Sequence, residues 1–291
     1  MRFDAQCIEC MIKRQYAQAV KLQDDAAALS YMKDVMREIL DAPEDVAAPY
    51  LASRFGKAYS RYSGGVDSYE KIKRDSNDYM LGRLPMMREA AAKSPDGLLT
   101  ALKFAYVGNY IDFGALAGRV SFAELDGLLR KAPTEALDSA EYERFLKDLS
   151  LAGKFLYILD NAGEIVADML LIEKIRERFP ELEVCAAVRG QPVQNDVTRR
   201  DADETGLSHM VRITDNGTNI SGTQLRFLGD DMRSELESAD IVLAKGQGNF
   251  ETLSGCGLNV YYLFMCKCSR FTKLFGVSRL SGVFINEKRM T

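Results

Sequence analysis

The sequence predicts an α/β protein: a three-layer α/β/α sandwich with a mainly parallel sheet, plus an N-terminal all-helical domain. Two observations predict this fold class. Residues 1–150 have helical periodicity and almost no β-branched runs, whereas residues 151–291 alternate short apolar runs with helical patterns. Such alternation indicates right-handed βαβ units with helices on both faces of a parallel sheet. The predicted domains are therefore residues 1–150, which are helical, and residues 151–291, which form the sandwich.

The first half is predicted to be helical because its apolar residues recur at three- and four-residue spacing. Prolines and a glycine pair interrupt this pattern and indicate helix boundaries at Pro43, Gly64-Gly65, Pro95 and Pro133. The predicted helices are residues 11–22, 26–40, 67–92, 98–106 and 139–149.

Short apolar runs in the second half predict its strands. The four main strands are residues 155–159, 183–188, 210–214 and 240–244, with a further strand at 260–265 and an edge strand at 282–285. Helices are predicted between them at residues 164–179, 195–205 and 230–236. This order of elements favours a single parallel sheet.

The charge of the chain argues against a nucleic-acid partner. Lys and Arg number 38 against 42 Asp and Glu, which gives a formal net charge of −4 and an isoelectric point near 5.4. A protein that binds phosphate backbones normally carries a basic surface.

The single histidine, His209, excludes zinc sites that need two or more imidazoles. It precedes a predicted strand and so lies at the edge opposite the carboxyl ends, where we expect an ordinary structural residue.

The sequence also predicts a cytoplasmic protein with no membrane partner. The N-terminus does not resemble a signal peptide, and the longest apolar stretch, residues 260–265, falls far short of the roughly 20 residues that span a bilayer. In a reducing compartment the six cysteines are expected to be thiols or metal ligands rather than disulfides. The oligomeric state is left open.

Each of the four main predicted strands runs directly into a polar loop. Turns alone can require Asn, Asp and Gly at such positions. However, the carboxyl ends of parallel strands lie at one edge of a sheet, where ligands bind, and four polar loops at one edge favour a ligand site. The residues expected to converge there are Asp160, Asn161, Arg189, Asp196, Asp215, Asn219, Lys245 and Asn249.

The residue types indicate a cation and a phosphate. Asp160, Asn161 and Asp196 offer hard oxygen ligands, which suit magnesium or manganese better than zinc. A cation polarises a phosphoryl oxygen, while a lysine such as Lys245 and glycine-flanked N–H groups neutralise the remaining charge. A dinucleotide fingerprint is not supported, because Glu251 stands where the third glycine belongs, and a P-loop lysine would follow the glycines rather than precede them.

Five motifs resemble those of the metal-dependent damage-control phosphatases, long catalogued as domain of unknown function eighty-nine. Two lie in the first half and three in the second, so the similarity covers nearly the whole chain. They are Asp67-x-Tyr69-x-x-x-Lys73-x-x-x-Asn77, Gly108-Asn109-x-x-Asp112, Asp160-Asn161-Ala162-Gly163-Glu164, Arg189-Gly190-x-Pro192-x-x-Asn195-Asp196-x-Thr198 and Lys245-Gly246-Gln247-Gly248-Asn249-x-Glu251. The Cys7-Ile8-Glu9-Cys10 start resembles the microbial subgroup with N-terminal cysteines.

The resemblance implies a metal-dependent phosphatase that hydrolyses phosphate monoesters of damaged or side-product metabolites, such as sugar phosphates. It implies one manganese, cobalt, nickel or magnesium ion held by Asp160, Asn161 and Asp196. The catalytic candidates are Asp160, Asp196, Lys245 and Glu164, with Lys245 holding the phosphate and Glu164 or Asp196 positioning water; which carboxylate attacks stays open. The candidate substrate-binding residues are Asn109, Asp112, Arg189, Asp215, Asn219, Gly222, Thr223, Lys245, Gly246, Asn249 and Glu251.

Two alternatives to this function are a non-catalytic protein that binds phosphometabolites in the same pocket and a metal-dependent methyl or phosphoryl transferase.

A separate hypothesis concerns the cysteines. Cys7 and Cys10 could join Cys266 and Cys268 in a structural zinc site, although Cys-x-Cys is unusual as the second half of such a site. The simpler interpretation is two small thiols at the start of a helix.

Overall fold

A six-stranded sheet forms the centre of the second half of the chain. The computed structural model describes residues 1–64, 69–112 and 120–290. The strands are β1 (Lys154–Ile158), β2 (Glu183–Val188), β3 (Arg212–Asp215), β4 (Ile241–Lys245), β5 (Val260–Met265) and β6 (Gly282–Asn286). They lie in the order β3-β2-β1-β4-β5-β6, and all pairings are parallel except that of β5 with β6. The predicted α/β fold with a mainly parallel sheet is confirmed.

Helices surround this sheet and fill the first half of the chain. They are α1 (Ala5–Ala19), α2 (Asp25–Leu40), α3 (Ala48–Ser60), α4 (Tyr69–Leu81), α5 (Leu84–Lys93), α6 (Gly97–Gly108), α7 (Phe122–Lys131), α8 (Ser139–Leu151), α9 (Glu164–Arg178), α10 (Arg199–Thr205), α11 (Asp230–Ser238), α12 (Gly246–Leu253) and α13 (Ser269–Phe275). Several begin at an aspartate that accepts a hydrogen bond from the first turn, as Asp24 and Asp96 do. Within the described ranges, no helix combines the length and the apolar character needed to cross a membrane.

Three predicted helices differ from the structure. The helix predicted over 11–22 begins earlier, at Ala5, because the Asp4 side chain caps it. The helix predicted over 67–92 is divided into α4 and α5, because Pro85 lies in the first turn of α5, where a proline starts a helix rather than continuing one. Residues 67 and 68 of that prediction, including Asp67, lie outside the described residues. The helix predicted over 195–205 begins only at Arg199, because Thr198 and Asp201 form a capping box. The sequence analysis missed α3, α7, α12 and α13.

The helices between residues 80 and 149 share one hydrophobic core with α9 and one face of the sheet. Helices α6 and α9 pack closely in this core, and a Cβ added to Gly108 would lie 3.3 Å from the Ala167 Cβ. A second core lies between the opposite sheet face and α11, α12 and α13, and a third lies within α1, α2 and α3. The predicted domain boundary near residue 150 stays a prediction, but α6 is thereby fixed against the helix that follows β1.

Phe145 of α8 tests how much this shared core contributes to stability. Its ring is fully buried and makes edge contacts with Phe155, Phe284 and Tyr261, the last at 4.9 Å between centroids. We expect Phe145→Ala to lower the free energy of unfolding by about 3–5 kcal/mol, measured by urea denaturation, because the cavity cannot refill. The matched control is Leu151→Ala at the end of α8, a residue 77% exposed, which should cost less than about 0.5 kcal/mol. Equal losses in the two variants would contradict this account.

Candidate active site

The loop after β1 is held in place by α4. Gly163 adopts a φ of +82°, which allows the chain to turn from Asp160 and Asn161 directly into α9 at Glu164. The Gly163 N–H donates to the Asn77 Oδ1 at 2.6 Å. Since a Cβ at Gly163 would lie 2.9 Å from the Ser76 Cβ, only glycine fits this close approach. The first polar loop therefore has one well-defined conformation.

Two amides hold the carboxylates of Asp160 and Glu164 side by side. The Asn109 Nδ2, at the end of α6, donates to the Asp160 Oδ2 at 3.2 Å and to both Glu164 oxygens at 3.0 Å. The Asn161 Nδ2 donates to the Asp160 Oδ2 at 2.7 Å and to the Glu164 Oε2 at 2.9 Å. Asn109 is itself oriented by the Met265 N–H, which donates to its Oδ1. All four polar side chains of this group are buried, so neither carboxylate is free to swing into solvent.

Arg189 joins the loop after β2 to the same group. Its Nε donates to the Asp196 Oδ2 at 2.7 Å, and its Nη2 lies 3.4 Å from the Asp160 Oδ1. The Ser221 hydroxyl donates to the other Asp196 oxygen at 2.8 Å. Residues from three different strand ends, Asp160, Asn161, Arg189, Asp196 and Ser221, thus converge at one edge of the sheet. We refer to Asp160, Asn161, Glu164, Arg189 and Asp196 as the carboxylate cluster.

Lys245 lies behind this cluster and does not reach a solvent-accessible surface. Its Nζ donates to the Glu164 Oε1 at 2.6 Å, to the Asp168 Oδ1 at 2.6 Å and to the Ala105 carbonyl at 2.9 Å. An ammonium group has three donors, so these contacts use all of them. In the structure the ammonium pairs with two buried carboxylates. A contact between Lys245 and a phosphate stays a prediction.

The sequence analysis missed Asp168. Glu164 and Asp168 are one helical turn apart on α9, in a stretch where every residue from 164 to 172 is buried. Two acids on the buried face of an apolar helix need a buried cation, and Lys245 on the otherwise apolar β4 was the available partner. That pattern was present in the sequence and could have revealed the pair.

Gly246 brings the start of α12 against Asp160. Its φ is +81°, and a Cβ built there would lie 1.9 Å from the Asp160 Oδ2. Farther along α12, the Asn249 Nδ2 donates to the Leu159 and Lys245 carbonyls, and its Oδ1 accepts from the Thr223 hydroxyl at 2.8 Å. Asn249 and Thr223 therefore connect the loops after β3, β4 and β1.

The remaining candidate substrate-binding residues have different surroundings. Asp112 pairs with the Lys267 Nζ at 2.9 Å. Asp215 accepts from the Gly217 N–H and lies 3.4 Å from Arg199, and Gly222 is buried with its carbonyl bonded to the Asn216 amide. Asn219 is partly exposed on the same loop. Glu251, at the end of α12, has Arg270 and the Met1 amine as its nearest charges rather than members of the carboxylate cluster.

Burial and mutual repulsion dominate the electrostatics of the cluster. The pKa of Asp160 is raised well above its usual range by burial and then by the negative charges of Glu164 and Asp196. Burial also raises the pKa of Asp196, although Arg189 opposes the shift, and it raises the pKa of Asp168 to about 7 against the opposing charge of Lys245. The site therefore buries more carboxyl groups than Arg189 and Lys245 can neutralise, and the raised pKa values of these acids reflect the cost of ionising all of them together.

This charge imbalance is what a divalent cation would relieve, and the oxygen donors suit a hard ion. The Asn161 Oδ1 accepts from the Asn195 Nδ2 at 3.0 Å and keeps a second lone pair for a ligand. The residues thus fit the predicted cation, although Asn161 directs its Nδ2 toward the carboxylates here. Among the residues that the structure describes, no three or more His, Cys, Asp or Glu side chains are grouped to hold a metal; the predicted set has only two carboxylates and an amide.

That same finding bears on the cysteines. Cys7 is partly buried and its Sγ lies 3.3 Å from the Arg270 Nη1, whereas Cys10 is exposed and Cys266 is buried. The described side chains form no group of three or more such ligands, and the zinc site, which also includes Cys268, stays a prediction.

Comparisons with known proteins give a consistent result. A family model described as the damage-control phosphatase ARMT1-like domain matches residues 3–282. The chain is 33% identical over 286 residues to a damage-control phosphatase of Archaeoglobus fulgidus, with 96% of each chain covered. It is 30% identical over 302 residues to a damage-control phosphatase of Pyrococcus horikoshii, with 99% of each covered. The crystal structure of a DUF89 family protein from Pyrococcus horikoshii superposes with a TM-score of 0.85, at 26% identity and 99% coverage of both chains.

The contact between Gly246 and Asp160 predicts a specific sensitivity to a single methyl group. We expect Gly246→Ala to lower the free energy of unfolding by clearly more than the roughly 1 kcal/mol that a left-handed φ costs an alanine, because its Cβ would overlap the buried carboxylate. The matched control is Gly255→Ala, whose φ is +89° but whose Cβ meets nothing within 4 Å. Thermal or urea unfolding of both variants measures the difference. Similar losses would mean that the collision is relieved without cost.

Glu251 predicts a pH-dependent stability. Burial raises its pKa from 4.5 to about 7, against the opposing charges of Arg270, the Met1 amine and Arg14. The folded state therefore favours the protonated acid: ionisation costs nothing below the unfolded-state pKa and destabilises the fold as the pH rises through about 7. We expect Glu251→Gln to match the wild type near pH 4.5 and to exceed its free energy of unfolding at pH 8. The exposed control Glu237→Gln should change stability by less than about 0.5 kcal/mol at both pH values; a gain for Glu251→Gln at pH 4.5 alone would contradict the sign.

Proposed function

This chain belongs to the damage-control phosphatase family defined by the ARMT1-like domain, and we propose that it hydrolyses phosphate monoesters of small metabolites with the aid of a divalent cation. The single observation that carries the proposal is the placement of Asp160 and Asp196 on the same guanidinium, Arg189, at the carboxyl edge of the sheet. Sheets of this kind bind ligands at that edge, where the strand order reverses between β1 and β4. Damaged or side-product metabolites such as sugar phosphates are the substrate class that we propose.

The cation would be held by Asp160, Asn161 and Asp196. When bound, it would polarise a phosphoryl oxygen and lower the pKa of a water molecule, which is what such ions supply in phosphoryl transfer. Manganese or magnesium matches these oxygen donors best, and cobalt or nickel are the other ions we expect to support activity.

The residues of the chain would do the rest. Arg189 is fully buried, fixed by Asp196, and offers further N–H donors to the equatorial oxygens of a phosphoryl group. Glu164 is held beside Asp160 by the same two amides and is not itself in the proposed ligand set, so it is suited to orient a water molecule and accept its proton. The backbone N–H groups at the start of α12, next to Gly246, would neutralise the remaining negative charge.

Phosphate release from p-nitrophenyl phosphate and from a panel of sugar phosphates, with and without manganese, tests this proposal. We expect activity that requires the added ion and is removed by chelation. Asp160→Ala should lose at least about 100-fold in kcat, because it removes a proposed ligand of the cation.

The matched control is Asp240→Asn, an exposed acid at the opposite edge of the sheet, whose Oδ2 accepts from the Gly153 and Lys154 N–H groups. It should keep wild-type turnover. Binding of phosphate esters without any release of phosphate would instead identify a non-catalytic phosphometabolite-binding protein, and equal activity of the wild type and Asp160→Ala would refute the assigned site.

A further inference from the structure

A second carboxylate, that of Asp168, binds the same Lys245 ammonium group as Glu164. Glu164, Asp168 and Lys245 are all 0% exposed, and the Lys245 Nζ lies 2.6 Å from an oxygen of each acid. The Tyr157 hydroxyl donates to the same Asp168 oxygen at 2.7 Å. Four side chains on α9, β4 and β1 therefore form one network with the Ala105 carbonyl of α6.

The desolvation cost of burying these charged groups indicates a role other than stability. The Asp168 Oδ2 is buried and has no hydrogen-bond partner within the described part of the chain. A leucine and a methionine would fill the places of Asp168 and Lys245 without any such loss, since buried ion pairs rarely add stability over apolar residues of similar volume. The network is thus poorly explained by stability alone.

Its geometry shows what it does to Glu164. The Glu164 Oε1 accepts from Lys245 and Asn109, and the Oε2 accepts from Asn109 and Asn161. Both amides also bind Asp160. The position of the Lys245 ammonium therefore decides where the Glu164 carboxylate lies relative to Asp160. Asp168 and the Ala105 carbonyl accept the other two N–H groups of that ammonium, and without Asp168 the only carboxylate bonded to it among the described residues would be Glu164.

We infer that Asp168 is a positioning residue: by sharing Lys245, it keeps the Glu164 carboxylate directed toward Asn109, Asn161 and the proposed reaction centre. The inference rests on the proposed function, in which Glu164 orients water. It differs from the predicted role of Lys245 as a phosphate ligand, because it assigns the ammonium to Glu164 and Asp168 instead.

Two variants separate the charge of Asp168 from its hydrogen bond. Asp168→Asn keeps an oxygen that can accept from Lys245, and Asp168→Leu removes it at similar volume. We expect kcat to fall by about 10-fold in Asp168→Asn and about 100-fold in Asp168→Leu, with KM within about twofold of the wild type, because a misplaced catalytic group slows the reaction without weakening substrate binding. Wild-type kcat in both variants, or a loss confined to KM, would overturn the inference.

The control is Glu141→Gln. Glu141 is another buried acid, on α8, and it pairs with Arg144 of the same helix at 3.0 Å and with Arg289 at 2.7 Å. It should lose stability and keep its kcat, so a general loss of stability cannot imitate the expected result.

Crystal structures of the Asp168 variants test the geometry independently of turnover. In Asp168→Leu we expect the Glu164 carboxylate to leave at least one of its two amide donors. An unchanged Glu164 would overturn the inference. If the wild type releases no phosphate from any substrate, the proposed function fails, and the inference is decided by these structures. If Asp168→Leu does not fold, Asp168→Asn is used for both measurements, and an unchanged kcat with an unchanged Glu164 would overturn it.

Discussion

The burial of several carboxylates beside one another is the constraint on which the rest of the site depends. Four carboxyl side chains are each at most 6% exposed: Asp160, Glu164, Asp168 and Asp196. Removing a charged group from water costs a large desolvation free energy. Two buried cations and two amides offset this cost. Each of those compensating groups comes from a different element, so the site is stable only when all of these elements are assembled around it.

The topology of the sheet explains why these elements can meet. Because the strand order reverses between β1 and β4, the loops after these two strands diverge and leave a crevice between them. α9 and α12 begin at that crevice, and each start depends on a glycine at positive φ: Gly163 directly before α9, and Gly246 as the first residue of α12. α4 and α6 then supply Asn77 and Asn109 from outside the sheet. Lys73 of α4 pairs at 2.6 Å with the buried Asp201 of α10, which fixes the helix after the β2 loop.

Much of this architecture could be predicted from the sequence. Alternating strands and helices predicted the parallel sheet, and the rule for parallel strands predicted that Asp160, Arg189 and Asp196 meet at one edge. The direction of Lys245 could not be taken from its position at the start of a glycine-rich loop. As the last residue of β4, it lies on the same sheet face as Ile241 and Leu243, which belong to the core with α9. Alternation along the strand therefore directs its side chain into that core.

The short helices were harder to predict for a different reason. α12 and α13 have eight and seven residues, too few for a periodic apolar pattern to be distinguished from a loop. α3 begins without a side-chain cap, so its start has no signal in the sequence beyond a proline in its first turn. In each case tertiary packing, which a single sequence does not display, stabilises the helix.

The close approach of α6 and α9 has a consequence for how the chain can be divided. The small residues Gly108 and Ala167 let the two helices pack closely enough for Asn109 to reach Glu164 and Asp160. A fragment that begins at residue 151 would keep the strands and most of the polar loops, but it would lose this amide and leave the apolar surface of α9 uncovered. We therefore expect that the sandwich alone would not form the complete site. Grafting its loops onto another sheet would need a helix equivalent to α6 beside them.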